Sequence, residues 1–297
     1  MKLFVSVVFL IFFSLGFAQI QKDLSFTNKS ELKKVLKKFP SVTLAIAPVS
    51  ADVKEIKDIP YHSLEDRKLR LDGYFNRSAG NKPAVIFIHG GGWKSGDKEM
   101  MMPLAQSIAS QGYHCFAVEY RLSGEAKYPA GIDDMLKAIR FLKSNAARFN
   151  IDADKIAVLG TSSGGQMAAL IGTKYSELVS AVIDIDGILA FSHPQSQEGT
   201  LAAEWLGGTY QDKPEIWNDA SPLYHVDRNS VPVLFINSQY ERFQAGRTEM
   251  TEVLNRYSIY SRSEKIANSP HTFWMFNPWF EPTVKYVTQF LNKQFKP

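Results

Sequence analysis

Among 297 residues there is a single cysteine, Cys115, so no intrachain disulfide can form, whatever the redox state of the compartment. It lies within Tyr113-His114-Cys115-Phe116-Ala117-Val118, a strand-like apolar run that predicts a buried structural thiol and not a nucleophile. Internal repeats, low-complexity tracts and a Pro/Gly-rich linker are also missing, which leaves no composition break at which to divide the chain and favours one large α/β domain. The charge is nearly balanced, with 34 Lys and Arg against 30 Asp and Glu for a formal +4. The one dense basic run, Lys33-Lys34 with Lys37-Lys38, alternates with Leu32, Val35, Leu36 and Phe39 at helical spacing. That pattern is a solvated helix face and argues against a nucleic-acid partner.

Long hydrophobic runs are scarce as well. Residues 1–18 begin Met1-Lys2, pass through apolar residues to Phe12-Phe13 and end Gly16-Phe17-Ala18 before Gln19, the charge, apolar core and small-residue pattern of a secretory leader. The expectation is cleavage near Ala18 and export to the periplasm or the extracellular space. The run is short for a membrane span and no second one of its length follows, so no stable membrane insertion is expected. No cysteine stands at the cleavage point to accept a lipid. Loss of Lys2 would lower the charge from +4 to +3, mildly basic and compatible with an acidic polysaccharide. Residues 19–60 are the least regular, and are expected to form an N-terminal extension or partial cap ahead of a main domain over 61–297.

What the chain does contain is Gly160-Thr161-Ser162-Ser163-Gly164, placed between the strand-like Ile156-Ala157-Val158-Leu159 and the helix-like Gln166-Met167-Ala168-Ala169-Leu170. A Gly-x-Ser-x-Gly turn between strand and helix forces the serine into a strained conformation and projects its hydroxyl above the sheet. Ser162 is therefore the candidate nucleophile. Upstream, the strand-like Ala84-Val85-Ile86-Phe87-Ile88 runs into His89-Gly90-Gly91-Gly92-Trp93. Consecutive glycines let backbone N–H groups approach an oxyanion closely, which makes Gly91 and Gly92, with the amide of Ser163, the expected donors. The Gly-Lys-Ser/Thr ending of a P-loop is absent, and the spacing does not suit a dinucleotide fingerprint.

Between and beyond these motifs strands and helices alternate. Helical stretches are predicted over 102–111, 133–149, 246–257 and 282–295, and buried strands over 115–120, 181–185 and 233–237. Such alternation implies a mostly parallel sheet covered on both faces. Where an elbow serine serves as nucleophile in this fold, the acid and then the histidine follow it in the chain. That order reduces six histidines to His271, in the loop Ser269-Pro270-His271-Thr272. For the acid, Glu241 is the first choice, just past the strand ending at Asn237, with Glu249 and Asp186 as alternatives.

On these residues the chain resembles the esterase branch of the α/β-hydrolases that includes hormone-sensitive-lipase-like enzymes and the bifunctional feruloyl and acetyl xylan esterases. Val118-Glu119-Tyr120-Arg121-Leu122, Tyr128-Pro129-Ala130 leading to Asp133-Asp134, Ile151-Asp152-Ala153-Asp154-Lys155-Ile156 and Ala220-Ser221-Pro222-Leu223 stand in the family's order. Arg242-Phe243-Gln244-Ala245-Gly246-Arg247 departs from its usual acid loop. The resemblance implies an α/β-hydrolase fold, bracing roles for Tyr120, Arg121 and Asp134, and hydrolysis of a small ester or an esterified polysaccharide through an acyl-enzyme, with no metal or organic cofactor required. Trp93, Trp205 and Trp274, with Phe276 and Trp279, are expected walls of the substrate pocket, since aromatic faces suit sugar rings and feruloyl groups. Amide cleavage of the formamidase or peptidase type, and a non-catalytic carbohydrate-binding relative, are the alternatives.

Overall fold

The computed structural model describes residues 23–47 and 50–295; the expected leader at 1–18 lies outside the described residues. The strands are β1 (Thr43–Leu44), β2 (Val53–Ser63), β3 (Lys68–Asn76), β4 (Lys82–Ile88), β5 (His114–Val118), β6 (Ile151–Thr161), β7 (Ala181–Ile185), β8 (Val233–Asn237), β9 (Ser261–Lys265) and β10 (Phe276–Asn277). The α-helices are α1 (Asn28–Val35), α2 (Met102–Ala109), α3 (Ala130–Ser144), α4 (Ala146–Phe149), α5 (Ser163–Lys174), α6 (Thr200–Leu206), α7 (Pro214–Asp219), α8 (Arg247–Arg256) and α9 (Phe280–Phe295). An eight-stranded sheet runs in the order β2-β3-β5-β4-β6-β7-β8-β9, and β1 pairs with β10 beside it. Only β3 runs against the other strands of the large sheet.

The apolar runs of β4, β6, β7 and β8 are buried on both faces because successive side chains point to opposite sides. Ile86, Ile88, Val158, Val182 and Phe235 enter one core with Met135 and Ile139 of α3 and Leu170 of α5. Val85, Phe87, Leu159, Ile183 and Leu234 enter the other with Leu104 of α2 and Val287, Phe290 and Leu291 of α9. Helices thus cover the parallel sheet on both sides, as the alternation predicts.

Local details both agree with the sequence expectations and correct them. Cys115 is fully buried, and burial pushes its thiol well up. Lys33, Lys34, Lys37 and Lys38 are exposed, with α1 capped by reciprocal hydrogen bonds between Thr27 and Ser30. The helix expected over 133–149 instead breaks at Asn145, whose side-chain amide donates to the Phe141 carbonyl at 2.8 Å and so competes with the helical ladder. The expected boundary between residues 60 and 61 falls inside β2, which pairs with β3 from Val53 onward. β2 therefore belongs to the large sheet.

On β5, His114 is 3% exposed and its Nδ1 accepts the Asn76 backbone N–H at 3.2 Å. Burial lowers its pKa from 6.5 to about 4. The unfolded chain takes up this proton below pH 6.5 while the folded chain resists it until about 4. The resulting stability is complete above the unfolded value and is lost as pH falls between the two, a total of about 3 kcal/mol. Urea unfolding at pH 7 and pH 5 should show a loss of about 2 kcal/mol in the parent chain that is largely removed in His114→Gln. An equal loss in the variant would place the acid sensitivity elsewhere.

Candidate active site

Ser162 occupies the turn between β6 and α5 with φ 54° and ψ −122°, a region that costs a non-glycine residue about 1–3 kcal/mol. Its surroundings hold it there. The Ser162 N–H donates to the Ile185 carbonyl at 2.8 Å, and its own carbonyl accepts the Gln166 N–H at 3.1 Å. The turn also packs tightly against β4. A Cβ on Gly164 would lie 2.2 Å from the Ile88 carbonyl oxygen, so only glycine fits.

His271 reaches the serine from the loop after β9. Its Nε2 lies 2.8 Å from Ser162 Oγ and its Nδ1 2.8 Å from Asp186 Oδ2. With Nδ1–H donating to Asp186, Nε2 is left to accept the serine O–H. Asp186 follows β7 directly and is fully buried; its N–H donates to the Ile236 carbonyl at 3.0 Å, and its Oδ1 accepts the Ser238 N–H at 2.7 Å. The imidazole stacks on Phe243, with centroids 3.5 Å apart and planes 8° from parallel, and Trp274 meets it edge-on at 5.4 Å.

Glu241, the expected acid, does not hold that position. It is exposed on the turn Glu241–Gln244, because the chain after β8 winds so that Phe243 faces the imidazole. Asp186 at the end of the neighbouring strand reaches Nδ1 instead. Glu249, the other alternative, contacts His193 at 3.2 Å on the surface. A sequence signal for Asp186 existed: it ends an apolar strand and precedes a glycine, a position at the carboxyl edge of a parallel sheet where ligands bind.

The glycine loop after β4 borders the same space. Gly91 has φ +126°, and a Cβ there would lie 2.1 Å from the Ser95 carbonyl oxygen. Tyr120 Oη donates to the His89 carbonyl at 2.9 Å while its ring stacks on His89, and the Ser123 N–H donates to the Trp93 carbonyl at 2.7 Å. Arg121 in turn grips Asp134 through Nε and Nη2, both at 2.7 Å. Tyr120 therefore braces the loop, while the Arg121–Asp134 pair ties the segment that carries Tyr120 to α3. The Ser163 N–H opens α5, and the first N–H groups of a helix have no partner within it.

Ser162, His271, Gly91, Gly92 and Ser163 line one cavity of about 320 Å³. Its walls include Ile188, Leu201 and Phe243, the charged Lys94, Glu198 and Arg242, and Phe26, Glu31 and Lys34 from the N-terminal segment. That segment is tied down where the Phe26 N–H donates to Ser95 Oγ at 2.9 Å. Burial raises the Glu198 carboxyl above its usual range, and neighbouring Arg242 opposes the shift. Of the expected tryptophan walls, only Trp93 borders the cavity, with its indole N–H committed to Gln166 Oε1 at 2.9 Å. Trp205 is 1% exposed and stacks behind Trp93 at 4.8 Å, and Trp274 is 4% exposed behind His271. Both are packing residues, as are buried Phe276 and half-buried Trp279, which lies against Phe39. Among the described residues no three His, Cys, Asp or Glu side chains converge to hold a metal ion.

Comparison with known proteins fits this geometry. Residues 71–243, more than half of the chain, match the BD-FAE family. The chain is 29% identical over 194 residues to the esterase LipC of Mycobacterium tuberculosis, covering 58% of this chain and 48% of LipC. It is 33% identical over 158 residues to the carboxylesterase NlhH of the same species, covering 47% of this chain and 49% of NlhH. The chain thus spans about half the length of these curated relatives. Among solved structures, a truncated carbohydrate esterase from gut microbiota superposes with a TM-score of 0.72 at 23% identity, over 84% of this chain and 99% of that one. The shared fold is the α/β-hydrolase fold, and the chain belongs to the BD-FAE family.

Proposed function

We propose that this chain is a serine carboxylic-ester hydrolase that works through an acyl-enzyme and removes acetyl, methyl or feruloyl groups from esterified polysaccharide. The observation that carries the reading is the relay from Ser162 Oγ to His271 Nε2 and from His271 Nδ1 to Asp186, each step 2.8 Å. A serine hydroxyl is a weak nucleophile until a base takes its proton, and a base does so best when a third group fixes its tautomer. In the first half-reaction Ser162 Oγ bonds to the ester carbonyl carbon as its proton passes to His271 Nε2. The carbonyl oxygen becomes an oxyanion, for which the amides of Gly91, Gly92 and Ser163 are the proposed donors. Collapse expels the alcohol, which leaves with the proton from Nε2. Water then repeats the sequence on the acyl-enzyme and releases the acid. Asp186 stabilises the transient imidazolium without itself taking the proton.

Relatives named as an esterase and a carboxylesterase support the reaction class. The carbohydrate esterase among the structural neighbours supports a sugar ester as substrate. The leader-like residues 1–18 support work outside the cytoplasm, where cell-wall polysaccharide is met.

Ser162→Ala should lower turnover of para-nitrophenyl acetate by at least about 10³-fold with an unchanged circular dichroism spectrum. Unaltered turnover would remove Ser162 from the reaction. Asp186→Asn should lower kcat by roughly 10³- to 10⁴-fold, and Glu241→Gln by less than about twofold. The reverse ranking would return the acid role to Glu241. Acetate, methanol and ferulate release from acetylated xylan, methyl-esterified pectin and methyl ferulate would identify the group removed.

A further inference from the structure

The charges around the cavity form a balanced set. Apart from Asp186, which serves His271, the charged lining residues are Glu31, Lys34, Lys94, Glu198 and Arg242. Each is held by an opposite charge: Lys34 to Glu31 at 2.6 Å, Lys94 to Glu204 at 2.8 Å, and Arg242 Nη2 to Glu198 Oε1 at 2.7 Å. Among the described residues, such a rim offers neither a free cation to a carboxylate ligand nor a free carboxylate to an ammonium. An ion pair still keeps hydrogen-bonding capacity, since a carboxylate accepts at about four sites and a guanidinium donates from five N–H groups.

The third pair lines the same cavity as Ser162 and His271. The Glu198 side chain is 8% exposed and that of Arg242 is 40% exposed, so the pair runs from the cavity wall to its opening. The Arg242 guanidinium lies over the Phe243 ring at 4.8 Å, and that ring stacks on His271 at 3.5 Å. Phe243 thus links the guanidinium to the imidazole, and all three residues line the cavity that holds Ser162. An acceptor and a donor fixed side by side complement neighbouring hydroxyls, each of which both donates and accepts. A carboxylate in the same place would meet Glu198, and an ammonium would meet Arg242.

Resting on the esterase reading above, we propose that Glu198 and Arg242 form a hydroxyl-binding clamp on the alcohol side of the site, selecting a neutral sugar ring with free hydroxyls beside its ester. The segment Arg242-Phe243 then serves recognition of the alcohol and support of His271.

The test compares two acetates on the whole chain: monoacetylated methyl xyloside, and cyclohexyl acetate, which has the same acyl group and a six-membered ring without hydroxyls. A site built to bond hydroxyls rejects the analogue that lacks them. The ratio of kcat/KM, xyloside over cyclohexyl, should fall about tenfold or more in Glu198→Gln and in Arg242→Gln and recover in part in Arg242→Lys. A ratio within twofold of the parent in both glutamine variants overturns the clamp. Should those variants not fold, the parent chain alone decides: methyl xyloside should inhibit cyclohexyl acetate hydrolysis competitively and more strongly than methyl glucuronoside. Equal or stronger inhibition by the glucuronoside overturns the proposal. A parent chain with no Ser162-dependent turnover of either acetate would overturn the esterase reading itself, and the clamp with it.

Discussion

Two backbone hydrogen bonds at the carboxyl edge of the sheet hold the site together. Ser162 N–H donates to the Ile185 carbonyl, and Asp186 N–H, one residue further along, donates to the Ile236 carbonyl. Each bond carries the parallel ladder one step past the end of a strand, from β6 to β7 and from β7 to β8. Both donor residues have φ 54°, which an unsupported loop would not maintain in a serine or an aspartate. The register of three neighbouring strands thus becomes the spacing of Ser162 and Asp186. The cores on either side of the sheet keep that register from slipping, because a one-residue slip would turn every buried side chain to the wrong face.

The remaining parts answer to this edge. His271 comes from a loop after the last strand of the sheet and is oriented by Asp186 below, Phe243 against its face and Trp274 at its edge. The glycine loop springs from β4, adjacent to β6 in the sheet, and is held by Tyr120, whose own segment the Arg121–Asp134 pair ties to α3. Asp134 is fully buried, and a buried carboxyl gripped by two guanidinium bonds is costly to disturb. A fixed position for the loop follows, and fixed donors are what stabilisation of a developing oxyanion requires.

Most of this was legible in the sequence where the physics is local. The elbow and the glycine loop are turns whose backbone conformations demand particular small residues over a few positions, so Ser162, Gly91, Gly92 and Ser163 could be named from the pattern alone. Chain order was enough for His271. The acid was not legible in the same way, because which carboxyl reaches Nδ1 depends on how two strand ends lie side by side and where the chain turns after β8. Phe243 takes the place beside the imidazole that Glu241 was expected to approach. The tryptophans illustrate a similar limit: composition says that an aromatic suits a sugar, but packing of Trp205 behind Trp93 decides that only one of the two borders the cavity. Likewise, a partial cap was expected from residues 19–60, but not that Phe26 and Lys34 would be among the residues forming the wall.

The central claim is that Ser162 is activated by His271 held on Asp186. Its most direct test is the rate of labelling by a fluorophosphonate, with the adduct mapped by peptide mass spectrometry. A single adduct is expected on the peptide containing Ser162, formed at the parent rate in Glu241→Gln and far more slowly in Asp186→Asn. An adduct on another residue, or a rate that depends on Glu241 and not on Asp186, would contradict it.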